Sequence, residues 1–285
     1  MNYRHAYHAG NFADALKHAL LVRLLRAMQR KEKGFLFVDT HAGRGKYDLD
    51  RASEGDSKAR QPEWPDGIGR LWDRTDLPPE VSDYVEVVRA HDRYRGNLAA
   101  MPRFYPGSPR IAKAIARPQD RLGLWEKHPD ECAALRDDFE GEKRVSVHLA
   151  DGYGALRACL PPPERRALVL IDPPFESAGE WSEVSGALAE GIRRLPGGTF
   201  AVWYPLSDRV PAGGFIQEMA SSPSPCLSIE LTVEPDAPRM RGCGILVVNP
   251  PWRFDDEARS ILAYLAMALC RGQEAQGSVR WLNPD

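Results

Sequence analysis

The segment ALVLIDPPFE, residues 167–176, is an apolar run that ends in an acid, two prolines and an aromatic ring. Its length and β-branched content read as a strand, and the prolines stop it because neither can donate to a strand ladder. Similar short runs flank it on both sides: FLFVD at 35–39, RLGLWE at 121–126, RVSVHLAD at 144–151, TFAVWYP at 199–205, LSIELTV at 227–233 and GILVVN at 244–249. Seven strands are legible. Helix-patterned stretches such as PDECAALRDDFE at 129–140 lie between the early ones. Ahead of all of them, Asn11 caps a run in which Leu16, Leu20, Leu24 and Met28 recur every four residues, the spacing of an amphipathic helix. Strands alternating with helices predict an α/β fold with a mostly parallel sheet and helices on both faces.

The rhythm breaks over 46–107, which carries Trp64, Trp72 and helix-like sequence but no convincing strand. It is expected to be a helical insertion after the first strand, near the working edge of the sheet. At 285 residues, 43% hydrophobic and 27% charged, the remainder suffices for one core, so the chain reads as a single domain, 1–285, with that insertion. The first residues, MNYRHAYHAGNF, lack the apolar stretch of a signal peptide, and no run approaches the roughly 18 apolar residues of a membrane span. A cytoplasmic protein is expected, with no membrane partner. The five cysteines are widely spaced with no CxxC pair, which predicts neither disulfides nor a metal site.

A net charge of -2 argues against a protein that coats nucleic acid. Residues 1–33 are the exception, with Arg4, Lys17, Arg23, Arg26, Arg30, Lys31 and Lys33 against only Asp14 and Glu32. This basic helical segment reads either as a solvated helix face or as a surface for phosphates. In the second case Arg4, Lys17 and Arg23 would contact RNA. With no heptads, a monomer is the default.

In an open α/β sheet, ligands bind at the carboxyl ends of the strands, beside the point where strand order reverses. The first strand exits through DTHAGRG at 39–45, where Gly43 and Gly45 permit a sharp turn and close approach to a ligand. The second ends in Glu126, placed to accept hydrogen bonds from two ribose hydroxyls. The third ends in Asp151 and Gly152, an acceptor for an exocyclic amine and room for a ring. Each acid alone reads more readily as a solvated loop residue or a helix cap, but three successive strand ends agree.

The fourth exit, Asp172 to Phe175, suits chemistry on an amino group whose lone pair is delocalised into a ring. The Asp172 carboxylate and the Pro173 carbonyl can each accept one amino N–H, favouring a pyramidal nitrogen. Pro174 stiffens the turn, and Phe175 offers a face for a base. A second segment, ILVVNPPW at 245–252, looks like a copy. Chain order favours the first: three strands follow it, whereas no strand signal follows Asn249. Asn249 and Trp252 are therefore expected to be structural.

These strand ends resemble the class I, S-adenosylmethionine-dependent methyltransferases with an Asp-Pro-Pro-aromatic motif, which act on exocyclic amino nitrogens of adenine or guanine. More specifically, YRHAYHAGNFADALKH (3–18), DTHAGRGKY (39–47), YPGSP (105–109), LWEKHP (124–129), LIDPPFE (170–176), WYP (203–205) and NPPW (249–252) are similar to the 23S rRNA adenine-N6 methyltransferase family, the large-subunit methyltransferase J group. The resemblance spans nearly the whole chain. It implies a Rossmann-like class I methyltransferase fold and methyl transfer from S-adenosylmethionine to N6 of a specific adenine in 23S rRNA. It further implies that His18, His41, Ser108, Glu126, Asp151, Gly152 and Asp172 hold the cofactor, that Asp172, Pro173 and Phe175 form the catalytic turn, and that Tyr3 touches RNA. Many members have Tyr where Phe175 stands, which removes a phenolic hydrogen bond and leaves the ring. Guanine-N2 methylation of rRNA, adenine methylation of DNA and a non-catalytic RNA-binding or ribosome-assembly role are the alternatives.

Overall fold

The computed structural model describes residues 7–51, 61–176, 179–207, 212–235, 240–270 and 276–283. In chain order it contains α1 (Phe12–Met28), β1 (Leu36–Asp39), β2 (Lys46–Asp48), α2 (Ile68–Trp72), α3 (Pro79–Tyr94), β3 (Phe104–Pro106), α4 (Ser108–Ile115), β4 (Arg121–Glu126), α5 (Pro129–Asp138) and β5 (Val145–Leu149). Then follow α6 (Ala155–Cys159), β6 (Ala167–Ile171), α7 (Glu180–Arg194), β7 (Thr199–Ser207), α8 (Gly213–Ala220), β8 (Cys226–Thr232), β9 (Met240–Val248), α9 (Phe254–Leu269) and β10 (Gln276–Trp281).

The main sheet has eight strands in the order β10-β8-β9-β7-β6-β1-β4-β5. β1 pairs in parallel with β4 on one side and β6 on the other, so strand order reverses at β1. That reversal opens a crevice at the carboxyl ends of β1 and β6. β9 runs antiparallel to both β7 and β8, and β10 runs antiparallel to β8. Alternation along each strand feeds two cores. Phe37, Leu168 and Leu170 point to the side covered by α1, α3, α4 and α9; Leu36, Val38 and Val169 point to the side covered by α6, α7 and α8.

Three sequence expectations need correcting. The sheet has an eighth strand: β10 follows NPPW, so that segment is not the exit of the last strand. The 46–107 stretch contains two short strands, β2 and β3, which pair antiparallel and join its two ends beneath α2 and α3. Finally, α1 is no ordinary amphipathic helix. Asn11 caps it by accepting the Asp14 N–H at 3.0 Å, but it packs against α3, α4, α9 and the sheet, and only Arg23, Arg26 and Ala27 escape burial.

Candidate active site

The crevice is built from the exits of four parallel strands and one buried helix. At the β1 exit, Thr40 donates to the Leu170 carbonyl at 3.1 Å through both its N–H and its hydroxyl, tying β1 to β6. Since the Thr40 hydroxyl is already donating, it accepts from His41 Nδ1 at 2.8 Å. His41 Nε2 is then an acceptor, and it is buried without a hydrogen-bond partner among the described residues. Burial first, then Lys127, pushes the His41 imidazole down to about 4, so the ring is neutral at pH 7.

The chain turns away through Gly43, at a φ of +57° that favours glycine, and its N–H donates to Glu126 Oε2 at 2.9 Å. The other oxygen of Glu126 accepts the His128 N–H at 2.7 Å, so the carboxylate at the end of β4 is fixed in place. Asp151, after β5, accepts the Tyr153 N–H at 3.1 Å. Beside it the β5 exit presses on the β1 exit: a Cβ on Gly152 would lie 1.8 Å from the Thr40 carbonyl oxygen, so only glycine fits. His41, Glu126, Asp151 and Gly152 therefore share one side of the crevice.

The other side centres on Lys17, which is only 6% exposed and is ion-paired with Asp14 at 2.9 Å and Asp172 at 2.6 Å. Burial alone would lower this ammonium, but the two carboxylates outweigh it and hold Lys17 well above the ordinary lysine value. Asp39, at the end of β1, is wholly buried, and its Oδ2 has no hydrogen-bond partner among the described residues. Burial raises it to about 7, with Asp172 adding to the rise, while Ser108, the His41 N–H and Lys17 oppose it. Ser108, the first residue of α4, thus lies against Asp39. His18 is 1% exposed and bonded through Nδ1 to the Tyr105 hydroxyl at 2.7 Å, which in turn meets the Tyr84 hydroxyl at 2.9 Å.

Sequence reasoning missed two features. Asp39 was visible only as the last letter of a strand, and Lys17 was assigned to a basic surface. The structure withdraws Lys17 from that surface, because both of its partners lie within the crevice. Arg23 is also neutralised, by Asp83 at 2.9 Å and Glu257 at 2.7 Å. Phe175 offers no open face: it is 6% exposed, packs on Trp181 at 4.4 Å between ring centroids, and holds a φ of 47°. Tyr3 and Arg4 lie outside the described residues. Asn249 is far from all of these, at the other end of the sheet. Its amide donates to the carbonyls of Pro196 and Gly198, both at 2.8 Å.

A sheet that reverses at β1, with its last strands antiparallel and with acids at the exits of β1, β4 and β6, defines a class I methyltransferase. Residues 32–283 match the family model described as Ribosomal RNA large subunit methyltransferase D, RlmJ. Over its whole length the chain is 40% identical to Ribosomal RNA large subunit methyltransferase J of Haemophilus influenzae and 39% identical to that of Escherichia coli, each covered completely. The crystal structure of protein LPL1258 from Legionella pneumophila superposes with a TM-score of 0.86 at 36% identity, covering 96% of this chain and 98% of that one. The chain belongs to the RlmJ family of ribosomal RNA large subunit methyltransferases.

Proposed function

We propose that this protein transfers a methyl group from S-adenosylmethionine to the exocyclic N6 of a specific adenine in 23S rRNA. The observation that carries this reading is the buried Lys17–Asp172 pair at the β1/β6 reversal, which holds one carboxylate oxygen of the Asp-Pro-Pro turn at 2.6 Å from a cation. The residues present fit the cofactor. Asp39 Oδ2 and His41 Nε2 are buried acceptors with no donor among the described residues, and S-adenosylmethionine brings donors in its α-ammonium and adenine amino groups. Glu126 is oriented by two backbone N–H groups and keeps lone pairs for ribose hydroxyls. When bound, the cofactor supplies an electrophilic methyl group.

The chain's own part is orientation and charge. With Lys17 on one oxygen of Asp172, the second oxygen is left to accept an amino N–H, and the Pro173 carbonyl would accept the other. Both would stabilise the positive charge that develops on the nitrogen as the C–N bond forms and the methyl–sulfonium bond breaks to leave a thioether, after which the nitrogen gives up one proton to solvent. The target base must leave its stack, at a cost of a few kcal/mol. Phe175 receives it only by parting from Trp181, and its left-handed backbone marks the residue of the turn held under strain.

The test is methyl transfer from labelled S-adenosylmethionine to unmodified 23S rRNA, the same rRNA already modified, and duplex DNA, with the product nucleoside identified by mass spectrometry. N6-methyladenosine formed on the unmodified rRNA alone is the expected result. N2-methylguanosine, or transfer to DNA, would replace the substrate assignment. Cofactor binding without transfer to any of the three would replace the enzymatic reading with a binding role.

A further inference from the structure

The positive charge of the N-terminal segment is not spent evenly. Along α1, Lys17, Arg23 and Arg26 are matched by Asp14, Asp172, Asp83 and Glu257. Past the end of the helix the balance changes. Lys31 and Lys33 are exposed, and neither forms an ion pair among the described residues; the same holds for Arg165, next to the Arg166 that bonds this turn. The turn bearing the two lysines is rigid. Arg117 donates to the carbonyls of Gln29 at 3.2 Å and Lys31 at 2.9 Å, while Arg166 donates to Met28 at 2.6 Å and also to Lys33. Two arginines are thus packed beneath two exposed lysines; burial first, then the neighbouring Arg117, lowers Arg166, while Asp120 opposes the shift.

The NPPW turn lies against this surface. Arg30 donates to the Trp252 carbonyl at 3.1 Å, and the Trp252 side chain stands out into solvent at 79% exposure with the Arg253 guanidinium 5.6 Å from its ring centroid. One exposed indole is too little apolar surface to dock a folded protein, and the two arginines that touch Trp252 are already paired, Arg253 with Asp256 and Arg30 with Glu257. But Lys31 and Lys33 follow Arg30 directly, and a flat ring next to exposed lysines suits an unpaired base and its phosphates. Lys17 touches Asp172 and Arg30 touches the Trp252 backbone, so the thirteen-residue step along α1 places this surface about 20 Å from the catalytic turn.

We propose that Trp252, Lys31 and Lys33, with Arg165 beside the lysines, form a second RNA contact, which holds a part of the substrate rRNA other than the methylated segment. The inference rests on rRNA being the substrate, and it gives the second proline-proline turn a role in retaining RNA. It requires long RNA: a hairpin shorter than the 20 Å separation cannot reach both sites.

The experiment compares Trp252→Ala and the double variant Lys31→Ala/Lys33→Ala with wild type on a full 23S transcript and on a minimal hairpin carrying the target adenine. Binding is titrated over a range of salt, and methyl transfer is followed in parallel. On the transcript, Trp252→Ala should bind about tenfold more weakly, and the double variant should lose about two from the slope of log K against log salt. On the hairpin, affinity and turnover should match wild type. Unchanged affinity and slope on the transcript would make the surface merely solvated and overturn the proposal. Equal weakening on both RNAs would also overturn it, by placing these residues at the catalytic edge. If wild type methylates neither RNA, the substrate reading fails on its own, while the binding titrations still report on the surface.

Discussion

The DPPF turn after β6 and the NPPW turn after β9 are built from nearly the same letters and do opposite things. Each contains a residue with positive φ, Phe175 at 47° and Asn249 at 51°. Asp172 meets Lys17, 155 residues away in sequence, in a buried crevice, whereas the Asn249 amide reaches only the carbonyls of Pro196 and Gly198 just before β7. The aromatic of the first turn is packed away, while that of the second is almost fully exposed. Strand direction makes the difference. β6 runs parallel to β1 and delivers its exit to the crevice, while β9 runs antiparallel to β7 and delivers its exit to the opposite edge. On the proposed reading, a Pro-Pro-aromatic motif serves chemistry only at the edge where the parallel strands end.

The sharpest way to break this comparison is Lys17→Met, which leaves Asp14 and Asp172 buried without their cation. Removing one partner of a buried pair costs about 3–5 kcal/mol, so the variant should show a lower urea midpoint and turnover near background; wild-type values for both would detach Lys17 from the catalytic turn. Asp172→Ala comes next, because Asp14 still neutralises Lys17 and the fold should survive. Turnover should fall by about two to three orders of magnitude, the loss seen when a positioned transition-state contact is removed, with S-adenosylmethionine binding retained by calorimetry. Undiminished turnover would take Asp172 out of the reaction. At the other turn, Asn249→Ala removes two hydrogen bonds and puts alanine at positive φ, which should cost about 2–3 kcal/mol in chemical denaturation with turnover per folded molecule unchanged. A kinetic defect there would mean that the two edges are coupled.

The smallest effect is a pH dependence hidden by cancellation. Asp39 is raised to about 7, so its contribution to stability is complete below its unfolded value near 4 and is lost as pH rises to 7. His41 is lowered to about 4, so its contribution is present above its unfolded value near 6.5 and is lost as pH falls to 4. The two slopes oppose each other across one window. Asp39→Asn should expose the His41 slope, with melting temperature falling on acidification, and His41→Gln the reverse, each about 1 kcal/mol per pH unit. Identical profiles in both variants and wild type would show that neither group is perturbed.

Most of the sheet was legible because its strands are short apolar runs, with β-branched residues concentrated in β5, β6, β8 and β9. β10 was not: QGSVRW is polar, and as a half-exposed edge strand it gains little from apolar residues. β2 and β3, three residues each, are too short to show a period. Seeing no strand after Asn249, the sequence reading set NPPW aside as the last exit; the sound reason is the antiparallel direction of β9, which no local pattern encodes. The charge of Lys17 was visible, but its burial depends on a partner 155 residues downstream. The strand-exit positions of Glu126, Asp151 and Asp172 were legible because fold geometry says where to look. Asp39 satisfies the same rule and was passed over in favour of the glycines behind it.

The strand order also has a consequence for how the chain is made. β9 lies between β7 and β8 although it is synthesised after both. Until residues 240–248 have left the ribosome, β7 exposes an unpaired edge of apolar sequence, and β8 has no place in the sheet. Lys17, Asp39, Glu126 and Asp172 have by then all been made, so the residues of the crevice are synthesised before the sheet that supports them is closed. A nascent or truncated chain ending between residues 207 and 240 is therefore the form of this protein most prone to pair its edge with another copy.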